Sequence, residues 1–258
     1  MSAVARSAAA AIIIGLLHSC AGTPPAPDDR APGLQIRQQV AGRIAAVLVT
    51  HGHDDDPVKQ RNAPAQPPDD ADGGSATPVS HDGYFLTANH VLSREQGRNV
   101  FVIHSAGSGW IRSKARIVWR SESADLALLH VPAATPDHYR WSAADRWLPT
   151  GTRVIHGGIA TDMRSGHGRL ASPLRPESGM QTHRRFKIDL PLLPGDSGGP
   201  VVNADGALVG INSSVEFIVP METMIFIDSE CVRPNVRRLE ARIEADRNRR
   251  AEGRDRSS

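Results

Sequence analysis

The amino-acid sequence predicts an all-β fold with a single helix near its C-terminal end. Three observations carry that expectation. Apolar runs are short and recur along most of the chain, each bounded by turn-forming residues. Glycine and proline are plentiful, 23 and 19 of 258 residues, which suits tight connections better than long helices. A helical apolar period stands out only after residue 233. With 40% hydrophobic residues the chain can bury a real core, although only 4% are aromatic. Short strands of this kind build barrels or sandwiches. The net charge of +2 gives no strong steering toward nucleic acid, so none is expected as a partner.

Taken in order, the chain opens on a segment that is not part of the fold. Arg6 precedes an apolar run, Ala8 to Leu17, too short to span a bilayer comfortably. The run ends in Leu17-His18-Ser19-Cys20, which resembles a bacterial lipoprotein signal. That resemblance implies cleavage after residue 19 and lipidation of Cys20, with the protein anchored to a membrane. An ordinary secretory signal with an incidental cysteine is the alternative. A Pro-rich tether over residues 20–34 follows. The only other cysteine is Cys231, expected as a small buried hydrophobe; with Cys20 lipidated, no intrachain disulfide can form.

The folded part is expected over residues 35–232. Gln35 to Thr50 reads as a lead-in strand, with Ile44 to Val49 as its apolar run. Residues 51–73 form a solvated insertion, with Asp54-Asp55-Asp56 and three prolines between Ala63 and Pro68. His51, His53 and these aspartates lack partnering ligands, so no metal site is expected, nor any cofactor. Strands are then expected over Val79 to Ala88, Asn99 to Ile103, Ile111 to Trp119 and Leu126 to Val131. Ala133 to Trp147 reads as a connection. A second set follows: Arg153 to Gly157, Gly168 to Ser172, Arg185 to Leu190, Val201 to Asn203, Ala207 to Ile211 and Val215 to Val219. In residues 233–258, Val236, Leu239 and Ile243 line one face of a helix packing on the second strand set, with Pro234 in its first turn and a solvated basic tail from Arg247 to Arg256.

Three segments carry chemistry. Gly195-Asp196-Ser197-Gly198-Gly199-Pro200 sets a serine between small residues on a turn. Small neighbours let a substrate carbonyl approach and let backbone N–H groups point at it. A serine hydroxyl is a weak nucleophile at neutral pH and needs a base. Gly83-Tyr84-Phe85-Leu86-Thr87-Ala88-Asn89-His90-Val91 supplies a histidine at the end of an apolar strand. Ala124-Asp125-Leu126-Ala127-Leu128-Leu129 supplies an aspartate at the mouth of another. Singly, each is commonly a turn, surface or cap residue; together, in the order His90, Asp125, Ser197, they are not.

These segments resemble the trypsin-like serine proteases, and most closely their bacterial HtrA/Deg-like branch, over roughly Gly33 to Ile227. Asp189, eight residues before the serine, belongs to the branch resemblance. It implies two six-stranded antiparallel β-barrels, about 35–135 and 148–232, with a cleft between them. His90 and Asp125 would come from the first barrel and Ser197 from the second. His90 is then the expected general base, Asp125 its orienter, and the amides of Gly195 and Ser197 the oxyanion hole. Ser213 matches the position that supports the aspartate, although a strand-edge serine is an equal reading.

The specificity wall implied by the resemblance is Pro191, Leu192 and Leu193 with Ser213, Ser214 and Val215. Pro191 stands where members with basic specificity hold an aspartate. A small or aliphatic P1 residue is therefore expected. Asp196 is expected to find backbone amides or an arginine as partner, because no Ile-Val-Gly-Gly-like start is present. HtrA-like members mostly have asparagine there. No PDZ domain fits after residue 230, and no aromatic anchor for a trimer is evident; an oligomer stays open. Esterases of the Gly-x-Ser-x-Gly kind are excluded by the chain order. The expected activity is that of a serine endopeptidase acting on envelope proteins or peptides. The alternative is a catalytically silent binding lipoprotein.

Overall fold

The computed structural model describes residues 24–52, 71–106, 109–161, 166–218 and 225–255. The expected signal segment, Cys20, most of the expected 51–73 insertion and Arg256 lie outside the described residues. The chain folds as two curled antiparallel sheets with a helix at each end of the described sequence.

The first sheet contains β1 (Ala45–Thr50), β2 (Asp72–Pro78), β3 (Tyr84–Thr87), β4 (Asn99–Ala106), β5 (Gly109–Lys114), β6 (Arg116–Ser121) and β7 (Leu126–His130). Its order is β5-β4-β1-β2-β3-β7-β6. The two edge strands, β5 and β6, are consecutive and separated only by Ala115, whose amide donates to Val100 O at 2.8 Å. The run expected as one strand over Ile111 to Trp119 therefore bends at Ala115. It pairs with β4 before the bend and with β7 after it. That bend curls the sheet on itself, so six strands, one of them broken, make the first barrel.

The second sheet runs β10-β13-β12-β11-β8-β9, from β8 (Arg153–His156), β9 (Gly166–Arg169), β10 (His183–Ile188), β11 (Pro200–Asn203), β12 (Leu208–Ile218) and β13 (Ile225–Pro234). Its edges approach where Leu170 bridges Ile188 and Asp189 N donates to Arg169 O at 3.0 Å. Residues expected as two strands, Ala207 to Ile211 and Val215 onward, form the single strand β12. Pro234 ends β13 rather than starting a helix.

Three apolar layers follow from the period-two geometry of strands. In β7, Ala127 and Leu129 face the first barrel's interior, while Leu126 and Leu128 face the second barrel. In β11, Val201 faces the second interior and Val202 faces the seam. The seam layer holds Tyr84, Leu86, Leu126 and Leu128 from the first barrel against Ile155, Val202, Leu208 and Ile211 from the second. Strands buried on both faces read as unbroken apolar runs, as Leu126 to Leu129 does.

The two helices correct two expectations. Leu34–Arg43 is a helix, α1, not the start of a strand. Ile36, Val40 and Ile44 recur every four residues and pack on the seam layer, which is a helical spacing. Before it, the expected tether is docked: Arg153 N donates to Asp28 O at 2.9 Å, and Asp29 pairs with Arg153 and Arg169. At the other end, α2 (Val236–Asp255) buries Val236, Leu239 and Ile243 as expected, but it reaches both barrels. Buried Asp246 accepts from Tyr84 Oη at 3.0 Å and from Arg116 Nη2 at 2.6 Å. Arg247 pairs with Asp82, and Arg250 donates to His130 Nε2 at 2.6 Å. Burial, with the charges of Arg250 and Arg116, lowers His130 to about 4, which keeps this imidazole neutral and able to accept. The expected basic tail thus begins as a latch onto the first barrel.

Burial raises the Asp246 carboxyl, but hydrogen bonds from Arg116 and Tyr84 outweigh it and hold the group below the usual carboxylate range. A lowered folded-state value gives stability that is full above the unfolded value and lost as pH falls through the folded one. Asp246→Asn should therefore lower the unfolding free energy by about 1.5–3 kcal/mol at neutral pH. Its stability should also fall less steeply with acid than that of the wild type. Urea unfolding at neutral and acidic pH checks both.

Candidate active site

Each of the three residues singled out by the sequence sits at a forced break in regular structure. β3 ends at Thr87, and a single 3-10 turn, Asn89–Leu92, presents His90 at the surface of the cleft. Arg120 Nε donates to Asn89 Oδ1 at 2.7 Å, holding that turn from β6. Asp125 precedes β7 with φ of +48°, a left-handed backbone rare outside glycine and asparagine-like residues. That conformation returns its carboxylate toward the turn: His90 N donates to Asp125 Oδ1, and His90 Nδ1 lies against Asp125 Oδ2, both at 2.9 Å.

Ser213 reaches the same carboxylate from the second barrel. In the β12–β13 ladder Asn212 faces Cys231 and Ser214 faces Glu230, so Ser213 is the extra residue of a β-bulge. A bulge re-aims a side chain without ending the strand. Here it brings Ser213 Oγ to 2.5 Å from Asp125 Oδ2, while the Ser213 carbonyl accepts from Ser197 Oγ at 3.1 Å. The serine hydroxyl thus rests on Ser213 O; among the described residues it makes no hydrogen bond to His90.

The turn that carries Ser197 is braced from three directions. Gly198 N donates to Asn212 O and Asn212 N to Gly199 O, each at 2.9 Å, tying it to β12. Ser75 N donates to Ser197 O at 2.8 Å and Thr77 Oγ1 to Gly198 O at 2.9 Å, tying it to β2 of the other barrel. Fully buried Asp196 is the third brace: its carboxylate accepts from Leu193 N at 3.0 Å and Thr161 N at 3.2 Å. Two glycines are obligatory. Gly198 has φ of +91°, and a Cβ there would lie 2.0 Å from Ser75 O. Gly195 has φ of +107°, and its carbonyl is taken by Ser75 Oγ at 2.6 Å. The amides of Gly195 and Ser197 donate to no protein acceptor among the described residues.

The expected pocket wall is arranged differently from its sequence order. Phe186, Ile188, Leu190 and Leu192 alternate onto one face, so Leu192 enters the second barrel's core. Pro191 and Leu193 take the opposite, exposed face, Leu193 with 48% of its surface free. Ser214 is exposed, and Val215 lies on β12. Ser229 was not singled out by sequence. Its hydroxyl donates to Leu190 O at 2.6 Å and accepts from Leu192 N at 3.2 Å, fixing the wall's backbone. Ser75 was also missed. Its only sequence signal is the Gly73-Gly74 pair before it, where a Cβ on Gly74 would come within 3.0 Å of Ser197 O.

Residues 74–211, more than half of the chain, match the trypsin-like peptidase domain. The chain belongs to that family. It is 31% identical over 157 residues to a probable periplasmic serine endoprotease, DegP-like, of Marinomonas sp. (strain MWYL1), covering 60% of this chain and 32% of that protein. It is 26% identical over 201 residues to the serine protease Do-like HtrA of Lactobacillus helveticus, covering 70% of this chain and 48% of that one. The chain thus spans about a third to a half of these relatives. Its fold is similar to that of the HtrA-type protease AlgW with tripeptide, with a TM-score of 0.56 at 22% identity, covering 80% of this chain and 60% of that one.

The Asp125 hydrogen bond raises His90 above its ordinary 6.5, against the opposing effect of burial. Burial raises Asp125 in turn, but hydrogen bonds from His90 and Ser213 outweigh it and hold the carboxyl below its usual range. In an NMR titration His90 should therefore titrate above 6.5 in the wild type, and below that of the wild type in Asp125→Asn. Equal values in the two proteins would contradict the pairing.

Proposed function

We propose that the chain is a serine endopeptidase in which Ser197, His90 and Asp125 hydrolyse peptide bonds of bacterial envelope proteins. The observation that carries this reading is the convergence of a His90–Asp125 pair at 2.9 Å, a glycine-flanked serine, and two amides with no protein acceptor among the described residues. Rotation about χ1 moves the Ser197 hydroxyl from Ser213 O toward His90 Nε2. His90 takes the proton as Oγ attacks the scissile carbonyl, and Asp125 stabilises the imidazolium through Nδ1–H. The amides of Gly195 and Ser197 receive the oxyanion; removing one such donor costs about 3–4 kcal/mol of barrier. The proton then passes to the leaving amine, and water hydrolyses the acyl-enzyme in a second, mirrored step.

Asp196 needs no newly freed N-terminal ammonium in this reading, because Leu193 N and Thr161 N already satisfy its carboxylate. The nucleophile turn is therefore assembled in the uncut chain. A fluorophosphonate probe should label the intact protein, without clipping near residue 35, and labelling should vanish in Ser197→Ala. The resting bond from Ser197 to Ser213 O supports a second reading, a binding protein with a silent site. Folded wild type that stays unlabelled would support that second reading.

Pro191 and Leu193 on the exposed face of the wall, with Ser213, Ser214 and Val215 on β12, are all uncharged, so an Arg or Lys side chain would meet no carboxylate among them. The preferred P1 residue is accordingly Val, Ala, Leu or similar. Cleavage of a peptide library tests this, and preference for Arg or Lys would sink it. An envelope location is supported by the Leu17-His18-Ser19-Cys20 segment, which would carry the anchor at Cys20, and by the periplasmic description of the DegP-like relatives.

A further inference from the structure

We propose that Ser75, on the first barrel, is a positioning residue for the Gly195 amide of the oxyanion hole on the second. The proposal rests on the protease reading above. Ser75 is fully buried on β2, directly across the seam from Ser197. All its polar atoms are committed. Its amide donates to Ser197 O at 2.8 Å and its carbonyl accepts from Thr87 Oγ1 at 2.8 Å. Its hydroxyl donates to Gly195 O at 2.6 Å and accepts from Ile159 N at 2.9 Å. A hydroxyl has one proton, so the acceptance from Ile159 and the donation to Gly195 fix its orientation together.

The consequence lies in which peptide planes are held. The Gly195–Asp196 peptide is pinned at both ends: Asp196 N donates to Leu193 O at 2.9 Å, and Gly195 O receives Ser75 Oγ. The oxyanion donor belongs to the neighbouring plane, Pro194–Gly195, which pivots on Gly195 φ. Glycine alone imposes no preferred value there. The pinned plane is therefore the frame against which the Gly195 N–H is aimed. Ser75 and Asp196 also share a support: Ile159 N bonds the one and Thr161 N the other, both from the loop after β8. Without the Ser75 hydroxyl, Gly195 O loses its donor and the frame can rotate. Displacement of a catalytic group by about 1 Å costs up to about 100-fold in rate.

The experiment compares wild type and Ser75→Ala for kcat and KM on a peptide substrate, for affinity toward a peptide boronate, and for thermal unfolding. A boronate forms a tetrahedral adduct on the serine with an oxygen in the hole, so it reports the hole directly. The expected result is a kcat lowered about 10- to 100-fold, KM within about twofold, and boronate affinity lowered in parallel with kcat. Ser75→Cys fills the site with a somewhat larger, weaker donor, and it should show the same selective loss to a smaller degree. It carries the test if the alanine variant does not fold. A folded Ser75 variant that keeps wild-type kcat and boronate affinity, or that loses only thermal stability, overturns the assignment alone. A wild type that reacts with neither substrate nor fluorophosphonate overturns the protease reading and this assignment with it.

Discussion

Everything in this molecule depends on holding two barrels in fixed register across one seam. The histidine and its aspartate belong to one barrel and the serine to the other, so the site exists only as a relation between them. The apolar seam layer supplies cohesion, but dispersion and the hydrophobic effect are not directional. Direction comes from hydrogen bonds that cross the seam at the site itself. Ser75 and Thr77 bond backwards onto the serine turn, and Ser213 reaches forwards onto Asp125. Each of these is buried or half-buried, where a hydrogen bond is stronger and an unmade one more costly than in water.

The same logic explains where polar groups are buried. Asp196 is fully enclosed, yet its carboxylate has two backbone donors, so its burial organises the turn rather than straining it. Buried Arg233 likewise spends its guanidinium on Ser142 Oγ at 2.7 Å and Ser142 O at 2.6 Å. In that way β13 fastens the connection between the barrels to the second of them.

Much of this was legible in the chain. The order His90, Asp125, Ser197, the unbroken run Leu126 to Leu129, and the Val236, Leu239, Ile243 period all follow from residue type and spacing. What was not legible has physical causes. Strand β13 carries Asp228, Ser229, Glu230 and Arg233, so no apolar alternation announces it, and Arg233 is inside only because Ser142 meets it. Helix α1 was hidden by adjacency, since its Ile36, Val40, Ile44 spacing runs directly into the β1 apolar run. Ser75 gave no signal of its own because its importance lies in what the other barrel places against it. Leu192 lies in the core rather than the cleft, a choice of face that order along the chain does not show.

The latch formed by α2 bears on the order in which the molecule is made. Asp82, Tyr84, Arg116 and His130 belong to the first barrel, but their partners Asp246, Arg247 and Arg250 are synthesised more than a hundred residues later. A chain emerging from its N-terminal end completes the strands of the first barrel long before it can satisfy these groups. Leu86, Leu126 and Leu128 also stay uncovered until the second barrel arrives. The first half is thus a folding unit with an unfinished surface, and the His90–Asp125 pair meets the Ser197 turn only once the second barrel has formed. During biogenesis the polar groups of Asp82, Arg116 and His130 therefore wait in water for partners that only the end of the chain brings.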